Sequence, residues 1–310
     1  MNVLVTGGAG FIGRWVVKKL LDRGDEVLVL DDLSNGQEEN LEEFKGNKNF
    51  KGLVKGDITN KSDIEKAFEF SPELCIHAAA QINVQDSIDN PEKNNRINIE
   101  GTLNILDEAV KHQTKVCLIG TCMVYDTSGE KPIGENHPIN TASPYAESKV
   151  RAEEAALEYY KTQNLPVVVL RPFNTYGPFQ KTNMEGGVVS IFLNKELDNE
   201  VLSIYGDGTQ TRDLLYVEDC ADFIINGAFS EKAVGEVINA GTGSDISVND
   251  LAKKICKDEN RIKHIEHHHP QAEIQKLVCD PSKATNLLGW KPKVSLEEGI
   301  EKTKEWIKKE

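Results

Sequence analysis

Tyr145 and Lys149, in "SPYAESK", are the side chains best placed to do chemistry. Ser143 is a good helix N-cap and Pro144 suits the first helical position. The pair then lies on one face of a helix, four residues apart. There an ammonium favours the phenolate and lowers the phenol's ordinary pKa of about 10; a bound nicotinamide cation would act in the same direction, giving a base usable near neutral pH. Alone, such a pair is commonplace on surface helices. Here it opens the helix that follows the fifth apolar run, near the edge where a parallel sheet presents ligands. Thr121 lies 24 residues upstream, at the end of that run, and its hydroxyl can reach the same pocket. Cys122 and Met123 follow it in "GTCMVYD". Methionine has no exchangeable proton, and a thiol with a free pKa of about 8.5 is mostly protonated at neutral pH. Pocket-wall packing is expected of both.

A second chemistry begins at the N-terminus. "TGGAGFIG" sets Gly7, Gly10 and Gly13 between an apolar run and an amphipathic helix. Glycines there allow a tight turn, close backbone approach to a pyrophosphate and close helix–sheet packing. The helix N-terminus adds free N–H groups and a favourable dipole. Asp31 ends the second run, 18 residues after Gly13, where a carboxylate can accept from both ribose hydroxyls. Its charge would repel a 2′-phosphate, and residues 32–41 contain no arginine, so NAD is expected over NADP. Asp57 after the third run and Ala78, Ala79 and Ala80 after the fourth are adenine- and pyrophosphate-side candidates, although ordinary small loop residues would look the same. Their neighbours Phe11, Ile12, Asp32 and Ile58, with Tyr145, Lys149 and Pro172, complete the expected cofactor-binding set.

These residues need a frame that brings loop ends together. The first half alternates β-branched runs ("NVLVTG", "EVLVLD", "KGLVKGD", "LCIHAAA", "KVCLIGT", "PVVVLRP") with helical stretches around residues 62–70, 94–112 and 144–163. That pattern predicts parallel βαβ units. Runs apolar throughout predict a sheet covered on both faces. An α/β, doubly wound sheet follows, with ligands at the carboxyl ends of its strands. After residue 171, Pro, Gly and Asn become frequent and strict alternation stops. The expected division is a Rossmann domain over 1–171 and a smaller mixed α/β substrate domain over 172–310. The two are interleaved, because a strand within 214–240 ("EVINAG") is expected to return to the first sheet.

Composition narrows the partners. The 310 residues carry a net charge of −14, with 39% apolar and 28% charged residues, a normal globular balance. Acidity argues against nucleic acid and against a membrane surface. No apolar run approaches the roughly 18 residues of a membrane span, and "MNVLVTGG" lacks the features of a signal peptide. A cytoplasmic protein is expected. The six cysteines (75, 117, 122, 220, 256, 279) include no C-x-x-C pair; reduced, mostly buried thiols are predicted.

"TGGAGFIG", Thr121, Tyr145-x-x-x-Lys149, "RPFNTYGP", "DGTQTRDLLYVED" and "DPSKATNLLGWKPKVSLEEGI" together resemble the extended short-chain dehydrogenase/reductase family, over essentially the whole chain. The branch they resemble is that of NAD-dependent nucleotide-sugar epimerases and dehydratases. The resemblance implies that Tyr145 is the catalytic base, Lys149 its activator and Thr121 the hydroxyl on the sugar 4-oxygen. Asn98 matches an asparagine that orients the tyrosine region or the substrate. Asn174 and Arg212 match positions on the substrate diphosphate, and a guanidinium fork suits phosphate oxygens; an ion pair with Asp213 or Asp219 is the plain alternative for Arg212. Leu277 matches a position where some epimerases carry Tyr and others a smaller residue that admits a 2-acetamido group. Cys122, Met123 and Tyr145 complete the implied substrate-binding set. Family members often carry an arginine before the last motif; here a histidine of the run His267–His269 stands in that stretch, and no metal site is expected from it. A homodimer is also implied, through the Tyr-x-x-x-Lys helix, with Val150, Ala152, Ala155, Ala156 and Tyr159 available, although an internal core would use the same residues.

All branches of the family begin by oxidising C4 of the sugar. A 4,6-dehydratase then needs a second acid–base pair, which the family commonly supplies as Asp–Glu after the threonine. Cys122 and Met123 occupy those two places. The expected activity is therefore 4-epimerisation of a UDP-hexose or UDP-N-acetylhexosamine. Dehydratase-type chemistry is the alternative. An inactive NAD-binding regulator is a second alternative, disfavoured because Thr121, Tyr145 and Lys149 are all present.

Overall fold

The computed structural model describes residues 1–126, 132–182, 187–266 and 275–309. Its β-branched runs form β1 (Asn2–Thr6), β2 (Glu26–Asp31), β3 (Phe50–Lys55), β4 (Leu74–His77), β5 (Lys115–Ile119) and β6 (Val167–Pro172). Shorter strands follow: β7 (Asn174–Tyr176), β8 (Leu202–Tyr205), β9 (Thr211–Arg212), β10 (Leu214–Tyr216), β11 (Val237–Ala240), β12 (Ile246–Ser247), β13 (Ile262–Ile265) and β14 (Lys276–Leu277). The main sheet has seven strands in the order β11-β6-β5-β4-β1-β2-β3, all paired in parallel. "EVINAG" thus joins the sheet beside β6, as expected. The chain leaves β1 on one side for β2 and returns on the other for β4, which opens a crevice at the carboxyl ends of these strands.

Six helices carry the first half: α1 (Phe11–Arg23), α2 (Lys61–Phe68), α3 (Val84–Asp89), α4 (Pro91–Asn95), α5 (Gly101–His112) and α6 (Pro144–Gln163). Alternate β1 residues feed opposite cores. Val3 and Val5 join Trp15, Val17 and Phe223 on one face. Leu4 joins Ile64, Leu106, Ala152 and Ala156 on the other. Both faces are covered, which is why the strands read as apolar throughout. Ala152 and Ala156 are spent on this internal core, at 1% and 0% exposure. Residues after β6 form three small sheets, β10-β7, β12-β9-β14 and β13-β8, over a core that includes Phe192, Leu202 and Leu251.

One local feature was not legible in the sequence. Between α4 and α5, residues Arg96–Glu100 form a π-helical turn. Such turns insert a residue into a helix and redirect side chains, often at functional sites. All six cysteines are free and buried, as expected. Among the described residues, no helix is long and apolar enough to cross a membrane.

Candidate active site

The start of α6 is fixed before any ligand is considered. Ser143 Oγ accepts from the Ala146 N–H at 3.2 Å, and Pro144 occupies the first turn. A cap of this type contributes about 1 kcal/mol. The Tyr145 N–H donates to Ser87 Oγ at 3.1 Å. Lys149 Nζ donates to the Ile119 carbonyl at 2.7 Å, so its ammonium is tied to the end of β5. Thr121 Oγ1 accepts from the Met123 N–H at 3.2 Å. Tyr145, Thr121 and Lys149 are buried, at 9%, 8% and 5% exposure, and converge at the carboxyl ends of β4 and β5.

Burial dominates the electrostatics of this pair. Burial pushes the Tyr145 phenol up to about 12, with hydrogen bonding by the Thr121 side chain pulling the other way. Burial also lowers Lys149 to about 8, opposed by the charge of Glu153. Desolvation of the phenolate is the largest influence on Tyr145, and the charge of Glu153 adds to it.

Asn98 sits on the π-helical turn and is 2% exposed. Its Nδ2 donates to Gln81 O at 2.9 Å, Asn94 Oδ1 at 3.1 Å and Ser148 Oγ at 3.0 Å. Its Oδ1 accepts from the Gln81 N–H at 2.8 Å. Every polar atom of this amide is used, so Asn98 locks α6 to the loop after β4.

The residues around the first turn fit a dinucleotide. Gly7 has φ +69, and a Cβ there would meet Ala79 N at 2.7 Å; a Cβ on Gly13 would collide with the Gly7 carbonyl. Gly10 caps α1 without a side chain, which leaves the N-terminal N–H groups for an anion. Phe11 and Ile12 turn into the core under it. Asp31 Oδ2 accepts from the Ala9 N–H and Oδ1 from the Leu33 N–H, both at 2.9 Å. It is buried, which raises its pKa, while those two bonds lower it. Each oxygen keeps a lone pair for a hydroxyl. Asp32 is turned aside onto Ser34. Asp57 Oδ1 accepts from the Thr59 N–H at 2.7 Å, and the Ile58 side chain is 5% exposed in the core, so any contact from Ile58 is through its backbone. The Ala78 N–H donates to Thr6 O and the Ala79 N–H to Thr6 Oγ1, holding Ala78, Ala79 and Ala80 beside the glycine turn. Pro172 pairs with Ala240 at the end of β6.

The wall beyond Thr121 is apolar. Cys122, Leu277, Phe173 and Cys279 form one buried cluster, with Met123 packed on it. Burial lifts the Cys122 thiol to about 12; its Sγ–H donates weakly to Asn174 Oδ1 at 3.9 Å. Leu277 is fully buried and pairs in register with Arg212. Arg212 Nη1 donates to the Thr211 carbonyl at 2.8 Å. Asp213 and Asp219, its alternative partners, also accept from backbone N–H groups. Asp213 accepts from Thr242, Gly243 and Cys279, and Asp219 from Lys293 and Val294. His267–His269 lie outside the described residues. Among the described residues, no group of His, Cys, Asp and Glu could hold a metal ion.

Sequence reading missed three buried groups. His77 bridges Thr6 Oγ1 at 2.6 Å and Thr102 Oγ1 at 3.1 Å. Glu153 and Arg171 form a buried ion pair. Glu153 stands four residues after Lys149 on the same helical face, and that spacing is the signal that could have found it.

A dinucleotide crevice with a buried Tyr–Lys–Thr set at the strand ends defines a Rossmann-type oxidoreductive site. The chain belongs to the family described as GDP-mannose 4,6 dehydratase, whose model matches residues 4–303, within the extended short-chain dehydrogenase/reductases. This is a family of nucleotide-sugar epimerases, dehydratases and decarboxylases. The chain is 38% identical over 313 residues to a putative UDP-glucose 4-epimerase of Methanocaldococcus jannaschii, covering 99% of this chain and 98% of the relative. It is 55% identical to Pal from Bacillus thuringiensis, with a TM-score of 0.97 over 100% of this chain and 99% of that one. It is also 32% identical to the Thermus thermophilus UDP-glucose 4-epimerase solved with NAD, with a TM-score of 0.90 over 99% of both chains.

Proposed function

We propose that the chain is an NAD-dependent 4-epimerase of a UDP-hexose or UDP-N-acetylhexosamine, acting through a transient 4-keto sugar. The observation that carries this is the composition of the pocket beside C4. Thr121, Tyr145 and Lys149 converge there, while the next two side chains are a neutral thiol and a thioether. NAD, when bound, supplies the hydride acceptor and a positive ring beside Tyr145. Such a charge is what the phenol needs, since burial alone holds it up at about 12. Tyr145 then takes the 4-hydroxyl proton, Thr121 holds the 4-oxygen, and Lys149 favours the phenolate. After the 4-keto sugar turns over, hydride would return from the reduced cofactor to the opposite face of C4 while Tyr145 gives its proton back to the 4-oxygen. Relatives similar to this chain carry the same activity in their names, and the division into a cofactor domain over 1–171 and a substrate domain over 172–310 accords with it. Asn174 and Arg212 are proposed to hold the diphosphate.

Dehydratase-type chemistry is the second reading. One observation favours it: the Cys122 thiol is held protonated, the form a general acid needs. It lacks a partner base, because Met123 cannot serve. Incubation with UDP-hexoses and UDP-N-acetylhexosamines, with products identified by NMR, separates the readings. A 4-epimer of unchanged mass is expected; a product lighter by one water overturns the proposal. A homodimer in solution is also proposed, tested by light scattering; a monomer would refute it.

A further inference from the structure

We infer that Glu153 and Arg171 are positioning residues that keep Lys149 charged and aimed at Tyr145, through a buried ion pair set one helical turn beyond it. This rests on the reading of Tyr145 and Lys149 as the acid–base pair.

Tyr145, Lys149 and Glu153 stand at i, i+4 and i+8 on α6 and share a face. Glu153 is 2% exposed and Arg171 5%. Arg171 Nε and Nη2 both donate to Glu153 Oε2, at 2.9 and 2.5 Å. Arg171 Nη1 donates to Tyr125 OH at 2.7 Å, and that hydroxyl donates to Asn239 Oδ1 at 2.8 Å. The guanidinium is therefore fixed from β6 and from the segment after β5.

The other carboxylate oxygen is the informative one. Glu153 Oε1 is buried and has no hydrogen-bond partner among the described residues. It lies against Gly120, where a Cβ would run into it. The Thr121 N–H favours the charged form of the carboxylate as a hydrogen-bond donor. The glycine at position 120 lets the carboxylate approach the strand end to which Lys149 is tied through Ile119.

The charge balance at Lys149 gives that arrangement a use. Burial works against the ammonium, and Glu153 is the anion that opposes it. The other titratable groups packed nearby supply no anion at neutral pH. Tyr145 lies on the same helix with its phenol raised. His77 on β4 is held neutral, Cys122 and Tyr125 after β5 are raised, and Arg171 on β6 is a cation. Arg171 in turn favours the charged form of Glu153. Glu153 is thus the neighbouring anion that favours the ammonium of Lys149.

The test follows Lys149 directly, by NMR titration of the whole protein with lysine labelled at Cε, the signal being assigned by its loss in Lys149→Met. Glu153→Gln is expected to lower the Lys149 midpoint by about one pH unit or more, and to move the alkaline limb of kcat/KM down by the same interval. Glu153→Gln alone strands the Arg171 charge, so Glu153→Gln with Arg171→Met is measured beside it. The double variant is expected to fold and still show a lowered midpoint, with a smaller shift. Glu153→Asp is expected to restore the midpoint in part. A wild-type midpoint in the double variant overturns the proposal, because the pair would then be structural. The titration needs no turnover. If Lys149 responds to Glu153 but no sugar nucleotide reacts, the positioning holds and the epimerase reading fails.

Discussion

The two walls of the crevice are built by different means. The cofactor wall is backbone. Gly7 and Gly13 are required by contacts a Cβ could not make, and Asp31 is pinned by two main-chain N–H groups. The wall beyond Thr121 is side chain, drawn from segments far apart in sequence: Cys122, Phe173, Leu277 and Cys279. A backbone wall tolerates few residue types at fixed spacing. A side-chain wall tolerates many, and the proposed epimerisation rests on its choice.

Substitutions on each wall sharpen that contrast. The largest effect is expected where the walls meet. Tyr145→Phe should lower kcat by roughly 10²–10⁴-fold, the usual contribution of a positioned acid–base group; far-UV circular dichroism should show the fold intact. Gly13→Ala comes next. Its methyl has no room against the Gly7 carbonyl, so a loss of about 1–3 kcal/mol is expected by urea unfolding, with weakened NAD binding by calorimetry. An unchanged NAD affinity would show that the turn does not approach the cofactor.

Acid tests the cofactor wall in another way. Burial lowers His77 to about 3 from 6.5. In that window the unfolded chain takes up a proton that the folded chain refuses. Stability is therefore complete above about 6.5 and is lost as pH falls, by at most about 1.4 kcal/mol per unit. His77→Gln should flatten this slope in urea midpoints measured across the window. The smallest effect belongs to the other wall. Cys122→Ala should cost about 1 kcal/mol of stability and leave epimerisation nearly unchanged. A large loss of kcat would instead make the thiol a proton donor.

Legibility in the sequence follows the same division. The strands, Gly7, Gly13 and Asp31 were readable because backbone geometry dictates residue type at a fixed spacing. Tyr145 and Lys149 were readable because a cap and a proline fix where α6 begins. The π-helical turn was not, since its extra residue leaves no periodic mark, and the engagement of Asn98 with Ser148 depends on it. The direction of the Tyr145 shift was also hidden. Adjacency to Lys149 can be counted in the sequence, whereas burial of the phenol depends on the whole fold. Glu153 and Arg171 were missed because their ion pair joins α6 to β6 through packing alone.

The proposed 4-epimerisation requires that this pocket oxidise C4 without eliminating water. The most direct measurement is a product analysis of UDP-hexoses and UDP-N-acetylhexosamines incubated with the enzyme and NAD in deuterated water. A 4-epimer of unchanged mass, with no deuterium at C5, is predicted. A 6-deoxy-4-keto product carrying deuterium at C5 would contradict it.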